Sequence, residues 1–280
     1  MIVHCCVSCD ADLNSSRLID PKIRCSREHL NTTETRWGPG DLHRLFSAWA
    51  TIEEFKTYEP LVLSSPKAEY GGKDGPWVII FDNFVADEEA DALIEGGEIS
   101  GFGSSTTQGS ANSLGEREKT VSSIRTSSNA WCSGACQTLP GVKSVTAKIE
   151  RVTGIPRKNY EAFQILNYDP GAFYKRHHDE SPGKPRSPGG PRIMTFFLYL
   201  SDVEEGGVTR FNELGIDVKP KKGRALVWPS VLDLDPEKSD PRMYHEAMAV
   251  TKGKKYAANH WIHIEDIVTP HLWGCTGSFS

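Results

Sequence analysis

Nowhere do the 280 residues string together the roughly 18 consecutive apolar side chains that a membrane-spanning helix needs. The opening Met1–Asp12 has neither a charged start nor a long apolar run, so no secretory leader is expected there. Basic residues are also short. Lys and Arg total 32 against 37 Asp and Glu, a net charge of -5, which argues against nucleic acid as the main partner. No internal repeat occurs. The 38% apolar and 25% charged content fits a soluble globular protein. At this length the chain can bury a sizeable core in one or two domains.

Seven cysteines are present, and Cys5, Cys6, Cys9 and Cys25 crowd the N-terminal end. Such clustering indicates disulfides in an oxidising compartment or a metal site. The spacing fits no common zinc pattern, which favours disulfides. The sequons Asn14-Ser15-Ser16 and Asn31-Thr32-Thr33 lean the same way. Cys132 and Cys136 either bridge each other or stay as two buried thiols.

Residues 1–40 are polar and lack an apolar period. Asp41–Phe55 carries a helical stripe of Leu42, Leu45, Phe46, Trp49 and Ile52. Residues 1–55 are therefore set apart as an N-terminal segment and helix. A Pro- and Gly-containing link over 64–76 follows. Trp77–Phe81 is a short apolar strand. Asp87–Gly96 predicts a helix stopping at Gly96-Gly97, and Val142, Val145, Ile149 and Val152 space another that stops at Gly154. The Ser-, Gly- and Thr-rich stretch 101–119 and the Pro- and Gly-rich loop 180–191 are candidate lids.

Beyond Tyr160, eight strand-like runs alternate with turns: EAFQILNY, AFYKRHHD, RIMTFFLYL, VTRFN, IDVKP, RALVWP, YHEAMAV and KYAANHWIHI. This predicts an α+β protein with a double-sheet β jelly roll behind supporting helices.

Chemistry concentrates in this part. In a strand, residues i and i+2 share a face, so His177 and Asp179 point together and His178 points away. One His and one carboxylate supply two-thirds of a facial triad, which leaves open positions on iron(II). Among nine histidines, His245 is the candidate third ligand. A three-residue loop at Thr251-Lys252-Gly253 would pair His245 with Asn259 and set Lys255 on the same face. Lys255 would then lie about 13 Å along the strand, within reach of a five-carbon diacid chelated at the metal. Otherwise Lys255 is a solvated turn residue.

The runs NYDPGAFYKRHHD, GGPRIMTFFLYLSDVEEGGVTRFNELGIDVKPKKGRALVWP and YHEAMAVTKGKKYAANHWIH resemble the catalytic core of prolyl 4-hydroxylases of the animal, plant and algal kind. WVIIFDNFVADEEADALI and IRTSSNAW resemble its earlier part, giving a dioxygenase-like domain over 76–268. The resemblance implies a double-stranded β-helix that binds iron(II) through His177, Asp179 and His245. It implies 2-oxoglutarate held by Lys255 with Tyr168 and Thr209, and ascorbate as a further cofactor. It implies that Tyr174, Arg192, Trp261 and His263 line a groove for a proline-rich or collagen-like peptide, with the loop over 104–119 folding across it. The implied reaction is hydroxylation of peptidyl proline coupled to oxidative decarboxylation of 2-oxoglutarate with O₂. It further suggests the endoplasmic reticulum or secretory pathway, the alternative being the cytoplasm. Met248-Ala249 stands where many members have Cys-Pro, and His178 where many have an aromatic. The N-terminal cysteines resemble the tail of a small toxin-like module. Three rival readings remain: the same chemistry on another side chain or small molecule, a zinc hydrolase, and a ligand-binding barrel without catalysis. Trp261 as plain core and Arg192 as a surface charge are the bland alternatives for the groove.

Overall fold

The computed structural model describes Cys25 and residues 37–111, 117–121, 124–180 and 188–275. All eight runs expected after Tyr160 contain strands, and they divide between two facing sheets. The larger has nine strands. Its centre runs, in order, Val78–Phe81, Ala225–Pro229, Arg192–Tyr199, Lys255–His263, Gln164–Tyr168 and Ser128–Trp131. The smaller runs Ile216–Val218, Thr209–Phe211, His245–Ala247 and Tyr174–His177.

Side-chain alternation makes the large sheet two-faced. Ile79, Phe196, Val227, Ala258 and Ile262 meet the helices on one face. Ile80, Phe197, Tyr199, Trp228 and Ala257 meet Phe211, Val218 and Ala247 of the small sheet on the other. Because both faces are covered, the central strands read as near-continuous apolar runs.

Helix Asp41–Thr51 does not stand apart with the N-terminal segment. Phe46 and Trp49 are fully buried, Trp49 lies edge-on to Phe81 and Phe196, and its indole N–H donates to Val152 O at 2.9 Å. The division at residue 55 therefore cuts through one core. The helix expected to stop at Gly96-Gly97 continues, as Asp87–Ser100. Both glycines are buried there because the packing leaves no room for more. A Cβ would fall 2.4 Å from Cys136 Sγ at Gly96 and 2.5 Å from the Phe102 ring at Gly97. Helix Pro140–Thr153 ends, as expected, at a left-handed Gly154.

The expected hairpin between His245 and Lys255 does not form. His245–Ala247 pairs with Thr209–Phe211 and Tyr174–His177 in the small sheet. Val250–Lys252 then pairs with Glu205–Gly206, and Lys255–His263 enters the large sheet. The turn is a crossover between sheets. The EEGG turn makes this possible. Gly206 sits at φ 81, where a Cβ would lie 2.4 Å from Ala249 O, and Gly207 N donates to that same carbonyl at 2.9 Å.

Within the candidate lid over 101–119, Thr106–Ala111 pairs antiparallel with Arg117–Val121. Its tip at 112–116, residues 181–187 of the second candidate lid, and Cys5, Cys6 and Cys9 lie outside the described residues. Cys25 bonds Cys275, and Cys132 bonds Cys136.

Candidate metal and cosubstrate centre

His177 and His245 are cross-strand partners in the small sheet, and Asp179 follows two residues beyond His177. Asp179 Oδ1 lies 3.9 Å from His177 Nε2 and 3.8 Å from His245 Nε2. All three ligand atoms fall within 4.8 Å of one another. His178 turns away, its ring held by Glu180 and by Asp240 O at 2.9 Å.

Each ligand is oriented by a second contact. His177 Nδ1 donates to Lys175 O at 2.9 Å, and His245 Nδ1 donates to Met243 O at 3.0 Å. A carbonyl can only accept, so the proton sits on Nδ1 and each Nε2 presents a lone pair to the cluster. Thr195 Oγ1 donates to Asp179 Oδ2 at 2.6 Å, which leaves Oδ1 for the centre. Burial lowers the His177 imidazole to about 3, helped by His245, and burial also lowers His245. Both rings are thus neutral, as metal ligation requires. Burial works to raise the Asp179 carboxyl, but His245, His177, Thr195 and Arg192 together hold it below its ordinary value. A divalent metal fits this donor set: two neutral imidazoles and one carboxylate, with few groups to fill the remaining positions.

The cavity beside the cluster measures about 20 Å³ and is lined by Tyr168, Tyr174, Phe197, Thr209, His245 and Ala247, among others. Lys255 reaches the space between the sheets from the large sheet, opposite Tyr168. It is fully buried. Its ammonium donates to Gly207 O at 2.7 Å and lies 5.1 to 5.3 Å from the Tyr168, Phe197 and Tyr199 ring centres. Tyr199 OH in turn donates to Thr209 Oγ1 at 2.8 Å. No carboxylate among the described residues pairs with Lys255, and burial pushes its ammonium down to about 7. A buried cation with one neutral hydrogen bond is costly unless an anion joins it.

The four expected groove residues divide. Tyr174 stacks flat on His177, ring centres 3.5 Å apart, with the Arg125 guanidinium 4.9 Å from its centre. Arg192 keeps 21% of its side chain exposed and lies over the Trp261 ring at 4.0 Å. Trp261 offers little open surface, because Arg192 covers one side of it and its residue exposure is 6%. His263 is 2% exposed, with Nδ1 bonded to Gly190 O and Nε2 to Glu161 Oε1, so it is no donor to a groove.

Glu161 was not visible as a site residue. It is buried, receives Arg192 Nε and Nη2 at 2.5 and 3.0 Å, and also bonds His263. Burial works against its charge, but Arg192 and His263 overcome this and hold the carboxyl at about 2. Arg192 Nη1 also donates to Asp179 O at 3.0 Å, so this buried ion pair ends on the backbone of a metal ligand. Thr195 was missed too. Its sequence signal is slight: a lone hydroxyl inside the apolar run IMTFF.

Residues 163–263 match the family model described as the 2OG-Fe(II) oxygenase superfamily. The chain is 35% identical over 210 residues to the probable prolyl 4-hydroxylase 9 of Arabidopsis thaliana, covering 68% of this chain and 70% of that one. It is 33% identical over 229 residues to prolyl 4-hydroxylase 2 of the same plant, covering 72% of each. The prolyl 4-hydroxylase subunit alpha-1 of Gallus gallus is 29% identical over 209 residues; the match covers 73% of this chain and only 39% of that larger subunit. Among solved structures, the 2OG complex of the viral collagen prolyl hydroxylase from Paramecium Bursaria Chlorella virus-1 superposes with a TM-score of 0.51 at 28% identity. That match covers 68% of this chain and 96% of the viral one.

Proposed function

Since the chain belongs to the prolyl 4-hydroxylase family of 2-oxoglutarate- and iron(II)-dependent oxygenases, we propose that it hydroxylates C4 of peptidyl proline. The coupled half-reaction is oxidative decarboxylation of 2-oxoglutarate to succinate and CO₂. The carrying observation is the pairing of a His177–Asp179–His245 cluster with a buried lysine that has no anionic partner among the described residues. A hydrolytic zinc site would give that lysine nothing to bind.

His177, Asp179 and His245 hold the metal. Bound iron(II) supplies O₂ activation; the protein's own residues bind, orient and exclude water. Lys255 takes the far carboxylate of 2-oxoglutarate, and Tyr168 and Thr209 lie beside that end. Thr195 fixes the Asp179 carboxylate, and the two backbone carbonyls fix the imidazoles. The peptide lies over Arg192 and Tyr174. A polyproline II segment offers carbonyls and few N–H groups, so its groove needs donors and flat surface. The Arg192 guanidinium supplies both, with Trp261 packed beneath it. Ascorbate serves to keep the metal as iron(II).

An oxidising compartment, the endoplasmic reticulum or secretory pathway, suits the two disulfides and the sequons. The test of function is mass spectrometry of proline-rich and collagen-like peptides incubated with iron(II), 2-oxoglutarate and ascorbate. A 16 Da gain on proline that requires 2-oxoglutarate is the expected result. Succinate formation without any modified proline would direct the chemistry to another substrate.

A further inference from the structure

The paired strands of the small sheet stop at the metal cluster. Strand Tyr174–His177 ends at one imidazole ligand, and strand His245–Ala247 begins at the other. Asp179 lies beyond the last pair, and so does the turn Pro241–Met243, whose Met243 O orients the His245 ring. Backbone pairing therefore does not fix the carboxylate ligand against that turn.

His178 spans this gap. Its Nε2 lies 2.9 Å from Asp240 O, and its Nδ1 lies 3.0 Å from Glu180 N and 2.8 Å from Glu180 O. A carbonyl can only accept, so Nε2 carries a proton and donates to Asp240. The same Asp240 O accepts from Met243 N at 3.0 Å, and Met243 O accepts from His245 Nδ1 at 3.0 Å. A continuous run of hydrogen bonds thus leads from the residue between His177 and Asp179 to the ring of His245. The His178 ring also sits edge-on to Tyr244, centres 5.1 Å apart. Packing on Tyr244 needs only an aromatic ring, whereas the contact with Asp240 needs a donor at the far edge of that ring.

On the reading that the cluster holds a metal, we propose that His178 is a positioning residue of that site: it holds the turn that orients His245 against the segment that carries His177 and Asp179. It acts through Asp240 and Met243 and not as a ligand. Such outer partners matter because they set the direction of each ligand lone pair before the metal arrives.

The test is equilibrium dialysis of the full chain against iron(II) in the absence of O₂, with thermal unfolding of the metal-free protein alongside. His178→Phe keeps a ring on Tyr244 and removes both polar contacts. His178→Gln carries an amide N–H out to where Nε2 stands, and His178→Asn reaches only the Glu180 side. His178→Phe and His178→Asn should each bind iron(II) about tenfold more weakly than the parent, the lower end of what losing an outer partner costs a metal site. His178→Gln should restore most of that affinity. Parent-like affinity in His178→Phe overturns the proposal, and so does an equal loss in His178→Phe and His178→Gln. Affinity that merely follows the Tm of the metal-free variants overturns it too, in favour of general support of the fold. If His178→Phe does not fold, His178→Asn against His178→Gln decides the same question. A parent that binds no iron(II) would overturn the metal reading and the proposal together, which sets that outcome apart from the others.

Discussion

Replacing Lys255 with Met keeps the length of the side chain and removes only its charge. Two effects of opposite sign are expected. With 2-oxoglutarate bound, the lysine and the far carboxylate form a buried pair, and truncating one member of such a pair costs roughly 2–5 kcal/mol. The requirement for 2-oxoglutarate should therefore rise by roughly thirtyfold to a few thousandfold. Without the cosubstrate, the ammonium is a buried charge whose described hydrogen bond goes to Gly207 O, held at about 7 by burial. Between that value and the ordinary lysine range the unfolded chain holds the extra proton, so the stability of the parent rises with pH across that window. At pH 7 and below the charged lysine works against folding. The ligand-free Met variant should thus unfold at a higher temperature than the parent at pH 6–7, with the gap closing toward pH 10. Added 2-oxoglutarate should raise the parent's Tm and leave the variant's nearly unchanged. Scanning calorimetry over this pH range, with CO₂ release against 2-oxoglutarate concentration, measures both effects. An unchanged 2-oxoglutarate requirement would reduce Lys255 to a packing residue and refute the argument.

Thr195→Val removes the bond to Asp179 Oδ2 and should weaken iron(II) binding by roughly 10- to 100-fold, read by equilibrium dialysis. Glu161→Gln leaves Arg192 without its buried partner and should destabilise the fold by roughly 3–5 kcal/mol in urea. Because the Glu161 carboxyl is held at about 2, its contribution is present above the ordinary carboxylate range and lost as pH falls toward 2. The Gln variant should therefore show a shallower loss of stability over pH 2–5. Arg192→Ala should reduce both peptide hydroxylation and peptide-free decarboxylation, since Nη1 also supports Asp179; selective loss of peptide hydroxylation would show that the Asp179 contact contributes nothing.

The legible parts of this sequence were those set by local pattern. Strand alternation put His177 and Asp179 on one side and His178 on the other, and the apolar runs marked the small sheet and the central strands of the large one, though not Pro60–Ser65, Lys73–Asp74, Gly103–Ser104 or Ser128–Trp131. The path after His245 was not legible. Thr251-Lys252-Gly253 carries good hairpin chemistry, but turn residues do not say which sheet receives the next strand. That depends on Gly206 closing against Ala249, some forty residues away. Gly96-Gly97 was misjudged for a related reason. A glycine pair resembles a helix stop unless Cys136 and Phe102 are known to press on it. Glu161 and Thr195 stayed hidden because their partners Arg192 and Asp179 are 31 and 16 residues distant. The family resemblance sets His263 in the groove, yet a matching position does not show what packs on the ring, and Gly190 and Glu161 take both of its nitrogens.

The bond between Cys25 and Cys275 spans 250 residues of sequence and makes the described chain a covalent ring. A ring distributes load differently from a thread. Tension applied to residues outside it passes through the sulfur atoms and bypasses both sheets. A single backbone cut inside the ring yields a longer linear molecule with no fragment released. The unfolded ring is also smaller than the unfolded thread, a restriction that the chain-entropy picture values at about 5 kcal/mol for a loop of this size. The His177–Asp179–His245 cluster and Lys255 thus sit in a body whose two ends are already closed on each other, so a tether or a proteolytic nick can act on it without first pulling the two sheets apart.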